Sequence, residues 1–207
     1  MQPVRAQRRN NREVWQQHRT AILGRMDGID WAAGAMRAAR TRLEIAAQNL
    51  ANASTDGFRK SLARVRLTPA GLAVSAVRSQ EQGALRHTGR ALDLAIVGPG
   101  AFVVGGAETR NGAFVREAHG FLADDRGRRV QGKHGAIRVD DGRFLREIPL
   151  PAGSSIIRGA LESPNVNAVG EMVGVLDAER AFETAQKALS AIDEVRAKSA
   201  NEVARLR

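Results

Sequence analysis

Residues 28–57 read GIDWAAGAMRAARTRLEIAAQNLANASTDG, with an apolar residue at every third or fourth position. Ile29, Ala32, Met36, Ala39, Leu43, Ala46, Leu50 and Ala53 keep this spacing unbroken, which draws one narrow apolar stripe down a helix. Half of the stripe is alanine. Alanine allows close approach but buries little carbon, at about 0.8 kcal/mol per CH2, so such a helix is marginal alone and needs a partner. The spacing predicts a helix from Gly28 to Ala53. It stops at Asn52-Ala53-Ser54-Thr55-Asp56-Gly57, a run of turn formers with a glycine placed for a left-handed cap.

The same pattern returns at the far end. Val175, Ala178, Phe182, Ala185, Leu189 and Ile192 form a second stripe, which Arg196 and Ser199 interrupt before it resumes at Val203 and Leu206. This predicts a second long helix starting after Pro164, near Asn167. Between the two, the texture is β-like. Val65 and Leu67 alternate as in a short strand, with Leu72, Val74 and Val77 as partners. Leu92, Leu94 and Ile96 alternate around Asp93 and Ala95 before Gly98-Pro99-Gly100 breaks the run. Asp124-Asp125-Arg126-Gly127 and Asp140-Asp141-Gly142 read as turns between short strands. The predicted class is α+β: long N- and C-terminal helices pairing as a coiled coil, around a mostly β central domain. The predicted divisions are a basic disordered extension over 1–25, a helix and extended linker over 26–74, a β-rich domain over 75–160 and a helical segment over 161–207.

Composition narrows the function. The chain has no cysteine, which excludes disulfides and thiolate metal sites. Aromatics make up 4% of it and tyrosine is absent, which argues against a large aromatic-anchored core. No apolar run approaches the ~18 residues of a membrane span, so no membrane insertion is expected. The N-terminus has arginines but no apolar core of a secretory signal. The net charge of +10 raises nucleic acid as a partner, and half of that excess lies in residues 1–25, where Arg5, Arg8, Arg9, Arg12, Arg19 and Arg25 face Glu13 alone. The rest is mixed in sign, with few aromatics to stack bases, so a solvated tail is the plainer account. A nucleic-acid-binding module using that tail is the alternative reading; deleting 1–25 would abolish its binding and reduce a steep salt dependence.

Catalytic patterns are missing. Gly127-Arg128-Arg129-Val130-Gln131-Gly132-Lys133 has the glycines and lysine of a phosphate loop, but His134 stands where the magnesium-binding hydroxyl belongs. That loop also lies among short strands rather than before a helix. His18, His87, His119 and His134 show no metal-ligand spacing and read as surface positions. No Gly-x-Ser-x-Gly elbow occurs, and Glu171, Asp177 and Glu179 read as charges on a solvated helix face. No catalytic, metal or cofactor site is expected, and enzyme is the weakest class.

Three separated stretches carry a resemblance. Leu43 to Arg59, LEIAAQNLANASTDGFR, resembles the N-terminal signature of bacterial flagellar basal-body rod and hook proteins: Asn-Leu-Ala-Asn, a threonine, then Gly-Phe and a basic residue. Thr88 to Ile96, with Gly98, Gly100 and Phe102, is similar to the lead-in to that family's β domain. Leu161-Glu162-Ser163-Pro164-Asn165-Val166-Asn167, with Glu171-Met172-Val173 and Glu179-Arg180-Ala181-Phe182-Glu183, is similar to its C-terminal signature. All three occur in the expected order.

The resemblance implies an axial component of the flagellum, exported through the flagellar type III apparatus without a cleaved signal. It implies that the terminal helices pair and line the inner wall of a helical tube, with the β domain outside. Hook proteins are much longer, so a rod subunit in the periplasm-spanning basal body is expected, of the proximal or distal type and, from the short chain, the proximal. Its partners would be other rod subunits, adjacent axial proteins and the export apparatus. Residues 1–25 have no counterpart in the family pattern, which makes Met26 the expected natural start. The expected assembly residues are Ile29, Met36, Leu43 and Leu50 on the first stripe, and Asn49, Asn52, Thr55, Gly57 and Phe58 at the turn. Asn165, Val166, Asn167, Met172, Val175, Phe182, Leu189 and Ile192 complete the set. Asn49 and Asn52 would satisfy backbone groups where the helix turns out, and Phe58 would anchor the turn by burial.

Overall fold

The computed structural model describes residues 27–68, 71–139 and 143–205. The basic segment 1–25, Met26 and the turn expected at Asp140-Asp141-Gly142 lie outside them. The protein is α+β, with a helix at each end of a mostly β middle. It divides into two compact units. One holds the described residues up to Ala47, then Ala63–Val77 and the chain from Met172; the other holds Gln48–Leu62 and Arg78–Glu171.

In the first unit, helix α1 spans Gly28–Ala51, ending two residues before the predicted Ala53. Its start is closed from both sides. The Trp31 N–H donates to the Asp27 carbonyl at 3.1 Å, and the Asp27 N–H donates back to the Asp30 carboxylate at 3.3 Å. Ala32, Ala39 and Ala46 are buried, with Ile29, Met36, Leu43 and Leu50 half-buried between them. Gly34, Ala38 and Ile45 are buried as well, so the covered face is wider than a strict three–four stripe.

Helix α2 spans Ala168–Arg205 and keeps the narrow pattern. Ala178 and Ala185 are buried, Val175, Phe182, Leu189 and Ile192 are half-buried, and every other residue from Leu176 to Ile192 is exposed. Two glycines mark close approaches. A Cβ on Gly28 would sit 3.1 Å from Ile192 Cδ1, and one on Gly174 would sit 3.7 Å from the Ala46 Cβ. Arg196 pairs with Asp27, and this hydrogen bond holds the Asp27 carboxyl below the usual carboxylate range.

Strands β1 (Ser61–Thr68) and β2 (Gly71–Arg78) pair with each other, as the alternation of Val65 and Leu67 against Leu72, Val74 and Val77 predicts. Leu62, Val65 and Leu67 are nonetheless exposed.

The second unit is built from short strands. β3 (Leu85–His87) pairs antiparallel with β12 (Ala160–Glu162), and β4 (Leu94–Val97) with β11 (Ser155–Arg158). β5 (Phe102–Val104) lies between β6 (Ala107–Thr109) and β9 (Val130–Gly132), and β9 also pairs β10 (Gly135–Ala136). β7 (Val115–Arg116) pairs β8 (Leu122–Ala123), and a 3-10 turn covers Arg143–Glu147. The core is Leu94, Ile96, Phe102, Val104, Phe114, Leu122, Val130, Ile137, Phe144 and Ile148. It is mainly aliphatic, yet it takes three of the six phenylalanines, and Phe102 meets Phe114 edge-on at 5.0 Å.

The run around Leu94 departs from alternation. Leu94, Ala95 and Ile96 are all fully buried, as is Asp93, because both faces of this strand are covered. Asp93 is held by the Thr88 hydroxyl at 2.6 Å and Arg90 Nε at 2.9 Å.

Candidate functional site

The turn after α1 and the stretch before α2 are laced together in the second unit. Asn49, 1% exposed, acts as a substitute rung of backbone. Its side-chain oxygen accepts from the Ser61 N–H at 2.8 Å, and its amide donates to the Ser61 carbonyl at 2.8 Å and to Glu171 Oε2 at 3.1 Å. Asn165 ties the preceding residue, Lys60, to the chain at Ser79 and Glu81. It accepts from the Lys60 N–H at 2.7 Å and donates to the Glu81 carbonyl at 2.9 Å and Ser79 Oγ at 3.3 Å. Each such bond is worth about 1 kcal/mol net, and a buried donor or acceptor left without its partner costs about 1–3 kcal/mol. These two asparagines therefore fix the path from α1 into β1 by replacing ladder bonds that the irregular chain cannot make.

The glycine of the turn is held as tightly. Gly57 has φ +71, donates its N–H to the Glu162 carbonyl at 2.6 Å, and has no room for a side chain. A Cβ there would lie 2.2 Å from the Asn111 nitrogen. Asn52 closes the helix, its side-chain amide donating to the Gln48 carbonyl at 2.9 Å, and Thr55 reaches Asn52 Oδ1 at 3.3 Å. Phe58 is half-buried rather than enclosed; its backbone holds the turn instead, with its N–H on the Thr55 carbonyl and its carbonyl accepting from Asn165. Asn167 is the N-cap of α2, accepting from the Gly170 N–H at 3.1 Å. Val166 is half-buried, and Met172 is 52% exposed.

The sequence reading missed the charged centre beneath this turn. Glu162, 1% exposed, takes Arg110 Nε on Oε2 at 2.7 Å and the Gly83 N–H on Oε1 at 3.1 Å. Arg110 also donates to the carbonyls of Ile96, Gly98 and Gly100. Nothing in the order of residues marks Arg110. Glu162 lies in the C-terminal signature, but a glutamate in a three-residue strand reads as a surface charge.

The hydrogen bonds of this arrangement tie chain segments to one another. Among the described residues no group of three or more His, Asp or Glu side chains is placed to hold a metal. His87, His119 and His134 are exposed, and Gly127 to Lys133 runs from a turn into β9 rather than into a helix. No described helix is long and apolar enough to cross a membrane.

Comparison with known proteins falls on the same two segments. Residues 29–59 match the model of the flagella basal body rod protein family, and residues 157–202 match that of the flagellar basal body rod FlgEFG protein C-terminal domain. The flagellar basal-body rod protein FlgF of Caulobacter vibrioides is 28% identical over 210 residues, covering 72% of this chain and 86% of that protein. Asn49, Gly57 and Phe58 lie inside the first match, and Glu162, Asn165 and Glu171 inside the second.

Proposed function

We infer from a chain that belongs to the flagellar basal-body rod family, and is a structural subunit of that rod, a mechanism that is purely one of assembly. The terminal helices pair antiparallel along their alanine seams and present the remaining faces to neighbouring subunits. Repeated heterologous contacts of this kind generate an open helical tube, which transmits torque. The subunit leaves the cytoplasm through the flagellar export apparatus.

The observation that carries this reading is the lacing of the two signature segments. Asn49 to Glu171 and Asn165 to Lys60 join residues more than a hundred positions apart, so the turn after α1 and the start of α2 act as one element. Seam geometry supports the pairing: the start of α1 approaches α2 at Ile192 and Arg196, while Ala46 near its end approaches Gly174. Alanine at Ala32, Ala39, Ala46, Ala178 and Ala185 suits helices that pack closely. The expected assembly residues divide accordingly, with Ile29, Met36, Leu43, Leu50, Val175, Phe182, Leu189 and Ile192 in the seam. Asn49, Asn52, Thr55, Gly57, Phe58, Asn165, Val166 and Asn167 shape the turn, and Met172 faces outward.

The test is isolation of basal bodies from a strain whose own copy carries an epitope tag. The chain is expected to copurify with the rod, and its deletion to abolish motility. Basal bodies free of the tagged chain, or a deletion strain that swims normally, would refute the assignment.

A further inference from the structure

Beneath the turn, two guanidinium groups share one carboxylate. Arg59 is 10% exposed, Arg110 5% and Glu162 1%. Glu162 is already used by Arg110 and by the Gly83 N–H, so Arg59 Nε stands 3.5 Å from Oε1 and makes no hydrogen bond. Arg59 lines a cleft of about 420 Å³ between the Thr55–Arg59 turn, Arg78 and Gln80, and the chain from Gly100 to Asn111. Of the other charges on that cleft, Asp56 is taken by Arg86 at 3.0 Å, Arg110 makes four hydrogen bonds of its own, and Arg78 and Glu108 are exposed. Two buried cations on one carboxylate leave an excess positive charge, which is costly unless a further anion offsets it. The cleft mixes polar and apolar lining and has room for a side chain or two rather than for a helix.

We propose that this cleft receives a carboxylate side chain from a neighbouring subunit of the rod, paired to Arg59 with Arg78 at the rim. The inference rests on the assembly role above, which supplies the neighbour. Charge complementarity supplies the residue type: the buried centre carries one cation more than its anions, and the Arg59 side chain lines the cleft. In the assembly a fixed carboxylate beside Arg59 makes docking depend on register.

Photo-crosslinking in flagellated cells tests this, with p-benzoylphenylalanine in place of the exposed Gln80 of the full chain. The expected result is an adduct to another rod subunit, within a peptide that carries Asp or Glu. Its yield should fall at least tenfold in Arg59→Gln and to a lesser degree in Arg78→Gln. Glu162 keeps its other two partners in Arg59→Gln, and circular dichroism of the purified variant checks its fold. If that variant does not fold, Arg78→Glu on the exposed rim reads the same charge and should also abolish the adduct. An adduct to a rod peptide without acidic residues, a yield indifferent to these changes, or no adduct would overturn the proposal and leave the rod assignment intact. Adducts confined to proteins outside the flagellum would overturn the assignment itself. Saturable binding of inorganic phosphate to the purified chain, lost in Arg59→Gln, would overturn the proposal in favour of a free-anion site.

Discussion

Replacing Gly57 by alanine should be among the most damaging single changes in the β unit, and its cost divides into two parts. The residue sits at φ +71, where a side chain costs about 1–2 kcal/mol. The added Cβ would also fall 2.2 Å from the Asn111 nitrogen and 2.3 Å from the Arg110 carbonyl carbon, both backbone atoms that no rotamer change can move aside. The turn must shift, and with it goes the 2.6 Å bond from the Gly57 N–H to the Glu162 carbonyl. A lost bond with its partner left unpaired costs about 1–3 kcal/mol, which brings the total to about 2–5 kcal/mol. Gly106→Ala is the internal control: its φ is +84, but nothing lies within 4 Å of the added Cβ. It should cost only the first part, about 1 kcal/mol. Urea unfolding of the purified chain, followed by strand circular dichroism, reads both. With a slope of about 1–3 kcal/mol per molar, Gly57→Ala should lower the midpoint by about 1–2 M more than Gly106→Ala. Equal midpoints for the two variants would refute the claim that close backbone approach, rather than dihedral angle, demands this glycine.

Asn49→Ala should destabilise the same unit by about 2–4 kcal/mol, since three bonds go at once, and Asn49→Asp should be no better because it loses both donors and faces Glu171; an aspartate variant as stable as the native chain would refute the rung role. The Glu117 carboxyl is held below its ordinary value of 4.5 by the hydrogen bond from Arg129, so its contribution is present above that value and lost as pH falls through the lower, folded value. Glu117→Gln should therefore flatten the acid limb of a stability-versus-pH curve below 4.5, and an unchanged limb would count against the pair. Leu43→Asp or Leu189→Asp, each placing a charge in a helix seam, should leave the urea transition of the β unit in place and prevent recovery of the chain in basal bodies. Normal incorporation would show that the seams carry no assembly contact.

Periodicity made the helices and the first hairpin legible because a stripe or an alternation is a one-dimensional signal. The stripe Ile29 to Leu50 and the seam Val175 to Ile192 are covered at the positions that the spacing selects. The reading of α1 was too narrow, since Ala38 and Ile45 are buried beside the stripe. Around Leu94 it failed for another reason: Asp93 and Ala95 look solvent-facing only if one side of the strand is open, and both sides are covered. The turn residues differ from the expectation in what each one does. Phe58, the large apolar residue, is only half-buried, while Asn49, expected to satisfy backbone groups, does so twice over at Ser61. Glu162 and Arg110 were invisible because their meaning is pairwise across 52 residues. A buried ion pair leaves no mark in the local pattern of either partner.

The seams explain why so much of α2 remains bare. On the assembly reading, alanine brings two helices close at the expense of buried area, so pairing alone covers one line of side chains. Between Leu176 and Ile192 that line is all that is covered. Just before it, Val169, Met172, Val173 and Leu176 recur at helical spacing and are 52–71% exposed, giving a second apolar stripe in the first turns of the helix. A chain designed to finish folding alone would bury those residues or make them polar. The bonds from Asn49 to Glu171 and from Lys60 to Asn165 lie within the β unit and end at the first turn of α2. On the assembly reading, that bare stripe is the surface a neighbouring subunit covers, and its four side chains are left apolar because they are buried only there.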